Sequence, residues 1–157
     1  MIDVDPSDQI LEIGSGPGAA ADLICQRLDR GRLLCIDRSE AGHSRTQRRN
    51  AKHIEDGKLT VRQIDLASLK LPRRMFDKIF AVNVNLFWVR DASAEVELLR
   101  DRLLPGGAIY LFFEAPDQDE RPAIVKAVGE ILRKFDLEVS VAESQSPRVL
   151  ALIGRRD

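Results

Sequence analysis

The chain has 157 residues, of which 44% are hydrophobic and 31% are charged, and its formal net charge is −1. This length suffices for one hydrophobic core and leaves little room for a second, so residues 1–157 are predicted to form a single domain. The near-neutral charge argues against nucleic acid as a partner, because nucleic-acid-binding proteins usually carry a basic face.

The sequence shows no long apolar run that would span a membrane and no secretion signal, since it begins with the acidic segment Met1–Asp5. Its two cysteines, Cys25 and Cys35, fall in a predicted helix and in a predicted buried strand. They are interpreted as core thiols rather than as a disulfide or a metal pair. These features predict a cytoplasmic protein without a metal site.

The segment from Ile10 to Gly18 is the most informative part of the chain. A short apolar strand at 10–13 runs into a turn that holds Gly14, Gly16 and Gly18. Glycine allows a tight turn and a close approach of the backbone to a ligand. A helix predicted at 19–30 then directs its free N–H groups toward that ligand. The segment therefore predicts a site for a nucleotide-like molecule.

Two ligand classes fit this turn. Gly14 to Ala19 match the dinucleotide fingerprint G-x-G-x-x-A, and with Glu12 the segment also matches E-x-G-x-G-x-G. A carboxylate does nothing for a pyrophosphate, whereas it favours the cationic sulfonium and ammonium groups of S-adenosylmethionine. A structural role for Glu12, as an acceptor for the turn's own amides, is an alternative.

The remaining elements alternate between apolar runs and helical patterns, which predicts an α/β fold with a mostly parallel sheet covered on both faces. Further strands are predicted at 33–37, 59–64, 76–83 and 104–113. Further helices are predicted at 39–53 and along 124–135, and another begins at Asp91 or Ser93 and ends at Pro105–Gly106. Two apolar runs, at 137–142 and 148–154, predict a C-terminal antiparallel hairpin. The expected architecture is a Rossmann-like doubly wound sheet.

Acidic and amide side chains follow successive strands. Asp37 ends the second strand about 20 residues after the glycines, the spacing at which a carboxylate meets ribose hydroxyls in this type of fold. Asp65 follows the third strand and Asn83 the fourth, and Leu104-Pro-Gly-Gly precedes the fifth. With Glu12 and the glycine turn, this order resembles the class I S-adenosylmethionine-dependent methyltransferases, as a small, minimal-core member of bacterial type.

The resemblance implies S-adenosylmethionine as the cofactor. It assigns the ribose hydroxyls to Asp37 and the adenine amino group to Asp65, with the following backbone N–H at the ring. Methyl transfer is expected at the end of the fourth strand. The cofactor-binding residues so implied are Glu12, Gly14, Ser15, Gly16, Gly18, Asp37, Arg38, Asp65, Leu66 and Asn83.

Four residues are candidates for the acceptor side: Asn83, Asn85, Trp88 and Glu114. No catalytic base is assigned, because the methyl donor is already activated and the enzyme chiefly aligns the reactants. Each candidate has a plainer alternative: a strand end for Asn83, packing against the sheet for Trp88 and its neighbour Phe87, and a solvated acidic loop for Glu114. The segment after the fourth strand departs from the (Asn or Asp)-Pro-Pro-(Tyr or Phe) signature, which argues against adenine or glutamine as acceptor.

The predicted function is S-adenosylmethionine-dependent methylation of a small molecule. One alternative is an NAD-dependent oxidoreductase, weakened because the only tyrosine, Tyr110, is not followed by lysine four residues later. Another is a non-catalytic S-adenosylmethionine-binding module or partner subunit, and a macromolecular acceptor is a further variant. The short segment before the first strand predicts an open site, with Phe87 and Trp88 exposed at its mouth. A second copy of the chain, a partner protein or a bulky acceptor could close it, and a homodimer is the favoured alternative.

Overall fold

The computed structural model describes residues 2–114, 116–145 and 148–157. Its core is a seven-stranded sheet with the strand order β3-β2-β1-β4-β5-β7-β6. The strands are β1 (Gln9–Ile13), β2 (Arg32–Asp37), β3 (Leu59–Gln63), β4 (Phe76–Val82), β5 (Leu103–Glu114), β6 (Glu138–Gln145) and β7 (Arg148–Arg155).

The first five strands are parallel, and β7 runs antiparallel to both β5 and β6. The order reverses at β1, which pairs with β2 on one side and with β4 on the other. In open α/β sheets, ligands bind at such a switch point, outside the carboxyl ends of the strands. The predicted α/β sheet, parallel with a C-terminal antiparallel hairpin, is confirmed. The hairpin's tip at 146–147 lies outside the described residues.

Six helices lie along the described chain: α1 (Ala19–Cys25), α2 (Glu40–Arg49), α3 (Ala51–Glu55), α4 (Leu86–Val89), α5 (Ser93–Arg102) and α6 (Arg121–Lys134). Apolar side chains of α4, α5 and α6 form one core with one face of the sheet. Those of α1 form a second core with the other face. The central strands β1, β4, β5 and β7 are largely buried, as their apolar sequences predict, whereas the edge strands β3 and β6 are mostly exposed.

Two predicted helices are shorter than their sequence patterns indicated. α1 ends at Cys25 rather than at Arg30, because the chain turns at Gln26, although Leu28 remains buried. The helix predicted at 39–53 is divided at Asn50, where φ is −111°. The Asn50 amide donates hydrogen bonds to the Gly18 and Thr46 carbonyls, which fixes the break at a polar position.

The junctions around β5 also differ from the sequence-based expectation. The helix before it ends at Arg102, because Leu103 already pairs with Phe76 in the sheet. The Pro105–Gly106 pair therefore lies inside β5, near an irregularity in its pairing with β4, and does not end a helix. None of the helices in the described part of the chain is both long and apolar enough to cross a membrane.

Candidate active site

The glycine turn is held by hydrogen bonds to the neighbouring strand. The Gly14 amide donates to the Ile36 carbonyl at 2.8 Å, and the Gly18 amide donates to the Ser15 carbonyl at 2.9 Å. Gly14, Gly16 and Gly18 have φ values of 71°, 51° and 79°, a left-handed conformation that residues with a Cβ rarely adopt. The predicted turn is present and has a defined shape.

Side chains of α2 fasten the other side of the turn. The Thr46 hydroxyl donates to the Gly16 carbonyl at 3.1 Å and lies 2.9 Å from the Ser15 hydroxyl. The Asn50 amide donates to the Gly18 carbonyl at 3.0 Å. A Cβ at Gly18 would stand 2.9 Å from Thr46 Cα, so glycine is also required here for helix contact.

Thr46 and Asn50 were missed by sequence reasoning, since both lie in a polar stretch whose burial no periodicity reveals. Thr46 is 0% exposed and Asn50 is 1% exposed. Ser15, predicted to contact cofactor, is 4% exposed and its hydroxyl faces α2. Its side chain therefore acts on the shape of the turn.

Asp37 joins the turn to the start of α2. Its carboxylate accepts from the Gly16 amide at 3.0 Å and from both the amide and the hydroxyl of Ser39, each at 2.9 Å. Partial burial acts to raise the pKa of Asp37, but these hydrogen bonds and the charge of Arg45 outweigh it, and the pKa is lowered. Asp37 is thus a fixed carboxylate at the carboxyl end of β2, where the sequence predicted a ribose contact.

Gly42 limits the position of that carboxylate, although no pattern in the sequence distinguishes this glycine. A Cβ at Gly42 would lie 2.4 Å from Asp37 Oδ2. The Gly42 amide donates to the Ser39 hydroxyl, which caps α2. The first turn of α2 can therefore press against Asp37 only because residue 42 lacks a side chain.

Glu12 lies beneath the turn and is 2% exposed. Burial raises its pKa to about 8, although a hydrogen bond from the Cys35 thiol to its Oε2 at 3.0 Å acts in the opposite direction. Because the Gly14 and Ser15 amides donate to the Ile36 carbonyl, the hydrogen bonds of the turn do not depend on Glu12. This placement leaves Glu12 as a buried acid at the base of the site.

The remaining residues predicted to contact the cofactor surround the ends of β2 and β3. Arg38 and Asp65 are exposed, each directly or shortly after its strand. Leu66 is 4% exposed and begins a short 3-10 turn at Leu66–Ser68. They share the carboxyl edge of the sheet with the glycine turn.

At the ends of β4 and β5, the structure brings together two of the acceptor-side candidates. The Asn83 amide donates to Glu114 Oε2 at 3.0 Å, and its oxygen accepts from the Glu114 backbone amide at 2.8 Å. Asn83 adopts φ of 57°, a left-handed conformation that asparagine tolerates better than most residues. Both side chains are exposed, so this pair faces solvent.

The segment that follows β4 passes close to the glycine turn. A Cβ at Gly14 would lie 2.9 Å from Val84 Cγ2, which places the end of β4 beside the turn. Asn85, an acceptor-side candidate, is exposed, and its carbonyl accepts from the Trp88 and Val89 amides at the start of α4. The turn and the β4 end thus line one edge.

The expectation of two exposed aromatic residues at the mouth is wrong for Phe87. Phe87 is 2% exposed and belongs to the core beneath α4. Trp88 is partly buried and packs against the same core, and its buried Nε1 has no partner among the described residues. The short helix α4, which the sequence analysis did not predict, turns these side chains toward the sheet.

Comparisons with known proteins agree with this geometry. Residues 10–107 match a family model described as a methyltransferase domain. The chain is 27% identical over 129 residues to the uncharacterized methyltransferase YdaC of Bacillus subtilis. The aligned region covers 82% of this chain and 68% of that protein.

Two solved structures are similar over nearly the whole chain. A SAM-dependent methyltransferase from Aquifex aeolicus has a TM-score of 0.81 at 16% identity, covering 99% of this chain and 85% of that one. Geranyl diphosphate C-methyltransferase from Streptomyces coelicolor, in complex with S-adenosyl-L-homocysteine, has a TM-score of 0.78 at 10% identity, covering 98% and 71%. These likenesses confirm the fold.

The family match covers more than half of the chain and includes the glycine turn, Asp37, Asp65 and Asn83. It decides against the NAD-dependent oxidoreductase that the glycine fingerprint also allowed. The chain belongs to the methyltransferase-domain family, as a class I member with S-adenosylmethionine as its cofactor.

Proposed function

We propose that this protein transfers a methyl group from S-adenosylmethionine to a small molecule. The observation that carries the proposal is a groove of about 490 Å³ that opens beside Glu114, at the carboxyl edge of the sheet. Pockets of about 300–1,000 Å³ are the usual size for small-molecule sites. Val82, the last residue of β4, lines this groove, and Val84 just beyond it lies against the glycine turn, which suits an acceptor placed beside the donor.

On the cofactor side, we assign the ribose hydroxyls to Asp37, since its carboxylate is fixed and has lone pairs beyond its three hydrogen bonds. Asp65 and the Leu66 amide are assigned to the adenine. Glu12 lies nearest the base of the turn, where a cationic group of the cofactor would favour its ionised form. S-adenosylmethionine supplies the methyl group already activated on its sulfonium.

On the acceptor side, the chain's task is to align a nucleophile and to exclude water. The Asn83–Glu114 pair stands where that nucleophile would arrive. The groove is open to solvent on one side, and Leu23 beside it is 65% exposed. We therefore propose that a second copy of the chain covers the groove. Light scattering at micromolar concentration should then show a dimer. A monomer that methylates a small acceptor would contradict this proposal.

The same proposal places the reaction in the cytoplasm. The free thiols of Cys25 and Cys35 are buried, and a reducing compartment keeps such thiols unoxidised.

Isothermal titration with S-adenosylhomocysteine, NAD and NADP tests the proposed cofactor. We expect S-adenosylhomocysteine to bind and the two nicotinamide cofactors not to bind. Incubation with S-adenosylmethionine and a panel of small acceptors, read as S-adenosylhomocysteine release, then separates an enzyme from a non-catalytic binding module. NAD binding without S-adenosylhomocysteine binding would overturn the assignment.

A further inference from the structure

The groove beside Glu114 has a consistent chemical character along its length. Its floor is the sheet, where Phe80, Val82, Phe112 and Val149 share one face, and α1 forms a wall with Leu23. Most of its lining is therefore aliphatic or aromatic. Such a surface favours an apolar ligand, because burying each apolar Å² stabilises by about 25 cal/mol.

Charged groups mark the two ends of this groove. Glu114 stands at the end of β5 and is hydrogen-bonded to Asn83 at the end of β4, where methyl transfer is expected. Arg27 lies just beyond the C-terminal end of α1, away from the glycine turn that precedes the helix, and lines the other end of the groove. A cationic head group is attracted to the first end and repelled from the second, so the groove has a polarity that orients its ligand.

Asn83 fixes the direction of the Glu114 carboxylate. Its amide occupies Glu114 Oε2, and its oxygen accepts from the Glu114 amide, so the two residues form a closed pair. A carboxylate offers about four acceptor positions, and the pair uses one of them. The remaining positions are available for an N–H donor that approaches from the groove.

We propose that the methyl acceptor is an apolar amine, whose hydrocarbon part lies in this groove and whose nitrogen meets Glu114. The proposal rests on the proposed function. The arriving ammonium releases one proton to solvent, which frees the nitrogen lone pair, and the Glu114 carboxylate accepts a hydrogen bond from a remaining N–H. That lone pair forms the new N–CH₃ bond, the S–CH₃ bond breaks, and its electron pair stays on sulfur to give S-adenosylhomocysteine.

Three probes with one skeleton test the charge preference: 4-phenylbutylamine, 4-phenylbutanol and 4-phenylbutyrate, with ethylamine as the probe without an apolar part. Calorimetry on the full chain saturated with S-adenosylhomocysteine measures binding. We expect the phenylbutylamine to bind about tenfold more tightly than the butyrate, as one exposed charge-assisted contact allows. Ethylamine binding should fall below detection.

Glu114→Gln keeps the size and the contact with Asn83 but removes the charge, so the preference for amine over butyrate should fall to less than about threefold. Leu23→Ala should weaken all three phenyl probes together, because it removes part of the wall. Val141→Ala, on β6 and likewise exposed, is the matched control and should change none of them.

The outcomes separate the two proposals. Failure of S-adenosylhomocysteine to bind would contradict the proposed function itself. Normal S-adenosylhomocysteine binding, combined with equal affinity for butyrate and amine, an unchanged preference in Glu114→Gln, or no binding of any phenyl probe, would overturn the amine acceptor alone. Methylated phenylbutylamine, detected by mass spectrometry with S-adenosylmethionine present, would support both.

Discussion

Around the glycine turn, side chains from β2 and α2 are tied to the backbone of the turn by several hydrogen bonds, and some of these side chains are completely buried. At the ends of β4 and β5, by contrast, Asn83 and Glu114 are exposed and bond to each other. The first region has one well-determined shape, and the second leaves room for variation. A common cofactor and a specialised acceptor would demand this difference.

The largest expected effect lies in the first region. Asp37→Ala should weaken S-adenosylhomocysteine binding about 10- to 1,000-fold, because it removes two charge-assisted contacts to the ribose. Asp65→Ala should cost less, since it removes one contact to an exocyclic amine. Isothermal titration measures both. Unchanged affinity in a folded Asp37→Ala protein would show that the ribose assignment is wrong.

Because Asp37 also holds Gly16 and Ser39, a matched control is needed. Ser39→Ala removes the hydroxyl bond to Asp37 and the cap of α2 but leaves the carboxylate in place. It should lower the free energy of unfolding by about 1 kcal/mol and weaken binding much less than Asp37→Ala.

Glu12 gives the cofactor region a pH dependence. Its pKa is about 8 in the folded chain against 4.5 for the ordinary group, so the folded state keeps an additional proton between these values. The protonated carboxyl contributes its full stabilisation below pH 4.5. As the pH rises from 4.5 through 8, the free energy of unfolding falls by up to about 1.4 kcal/mol per pH unit. Glu12→Gln cannot ionise and should not show this loss.

Urea unfolding of both proteins between pH 5.5 and 8.5 measures the effect. The free energy of unfolding of Glu12→Gln, relative to the natural chain, should increase with pH and level off above 8. Parallel curves would mean that Glu12 is already ionised in the folded protein. The cofactor region would then contain no buried neutral acid.

Gly42→Ala tests the same region without removing any polar group. The new Cβ would displace the Asp37 carboxylate, so S-adenosylhomocysteine should bind about tenfold more weakly. The helix itself gains, because alanine is about 1 kcal/mol better than glycine in a helix. Gly129→Ala on α6 is the control, where the new Cβ meets only the flexible end of Arg133. Equal affinity in both variants would show that Asp37 moves freely.

The smallest effect on cofactor binding is expected at Asn83. Glycine adopts its φ of 57° without strain, so Asn83→Gly removes the amide that holds Glu114 and keeps the backbone. S-adenosylhomocysteine affinity should change less than about threefold, while methyl transfer falls. Asn83→Ala should be less stable than Asn83→Gly by about 1 kcal/mol. A large loss of cofactor affinity in the glycine variant would show that the two regions are not separate.

The sequence predicted the central strands of the sheet well, because a strand that is buried on both faces is a short, continuous run of apolar residues. It also predicted the glycine turn and the acidic residues that follow β2 and β3. What it could not predict were contacts between distant polar residues. Thr46 and Asn50 are ordinary residues of a charged helix until that helix is packed against Gly18.

The predicted ends of helices and strands were wrong where contacts between distant parts of the chain determine them. Leu103 continues the apolar pattern of α5 and yet pairs with Phe76 in the sheet. Phe87 follows an exposed asparagine segment, and only the single turn of α4 directs it into the core. The roles assigned to the cofactor and acceptor residues stay predictions for the titrations described above.

The hydrogen bonds of the glycine turn have a thermodynamic consequence. The amides of Gly14, Gly16 and Gly18 and the carbonyls of Gly16 and Gly18 all have partners within the chain. The conformational entropy of this loop is therefore lost when the protein folds, at about 1–2 kcal/mol per residue, and not when a ligand arrives. Association should therefore be rapid and nearly free of an ordering cost in this loop.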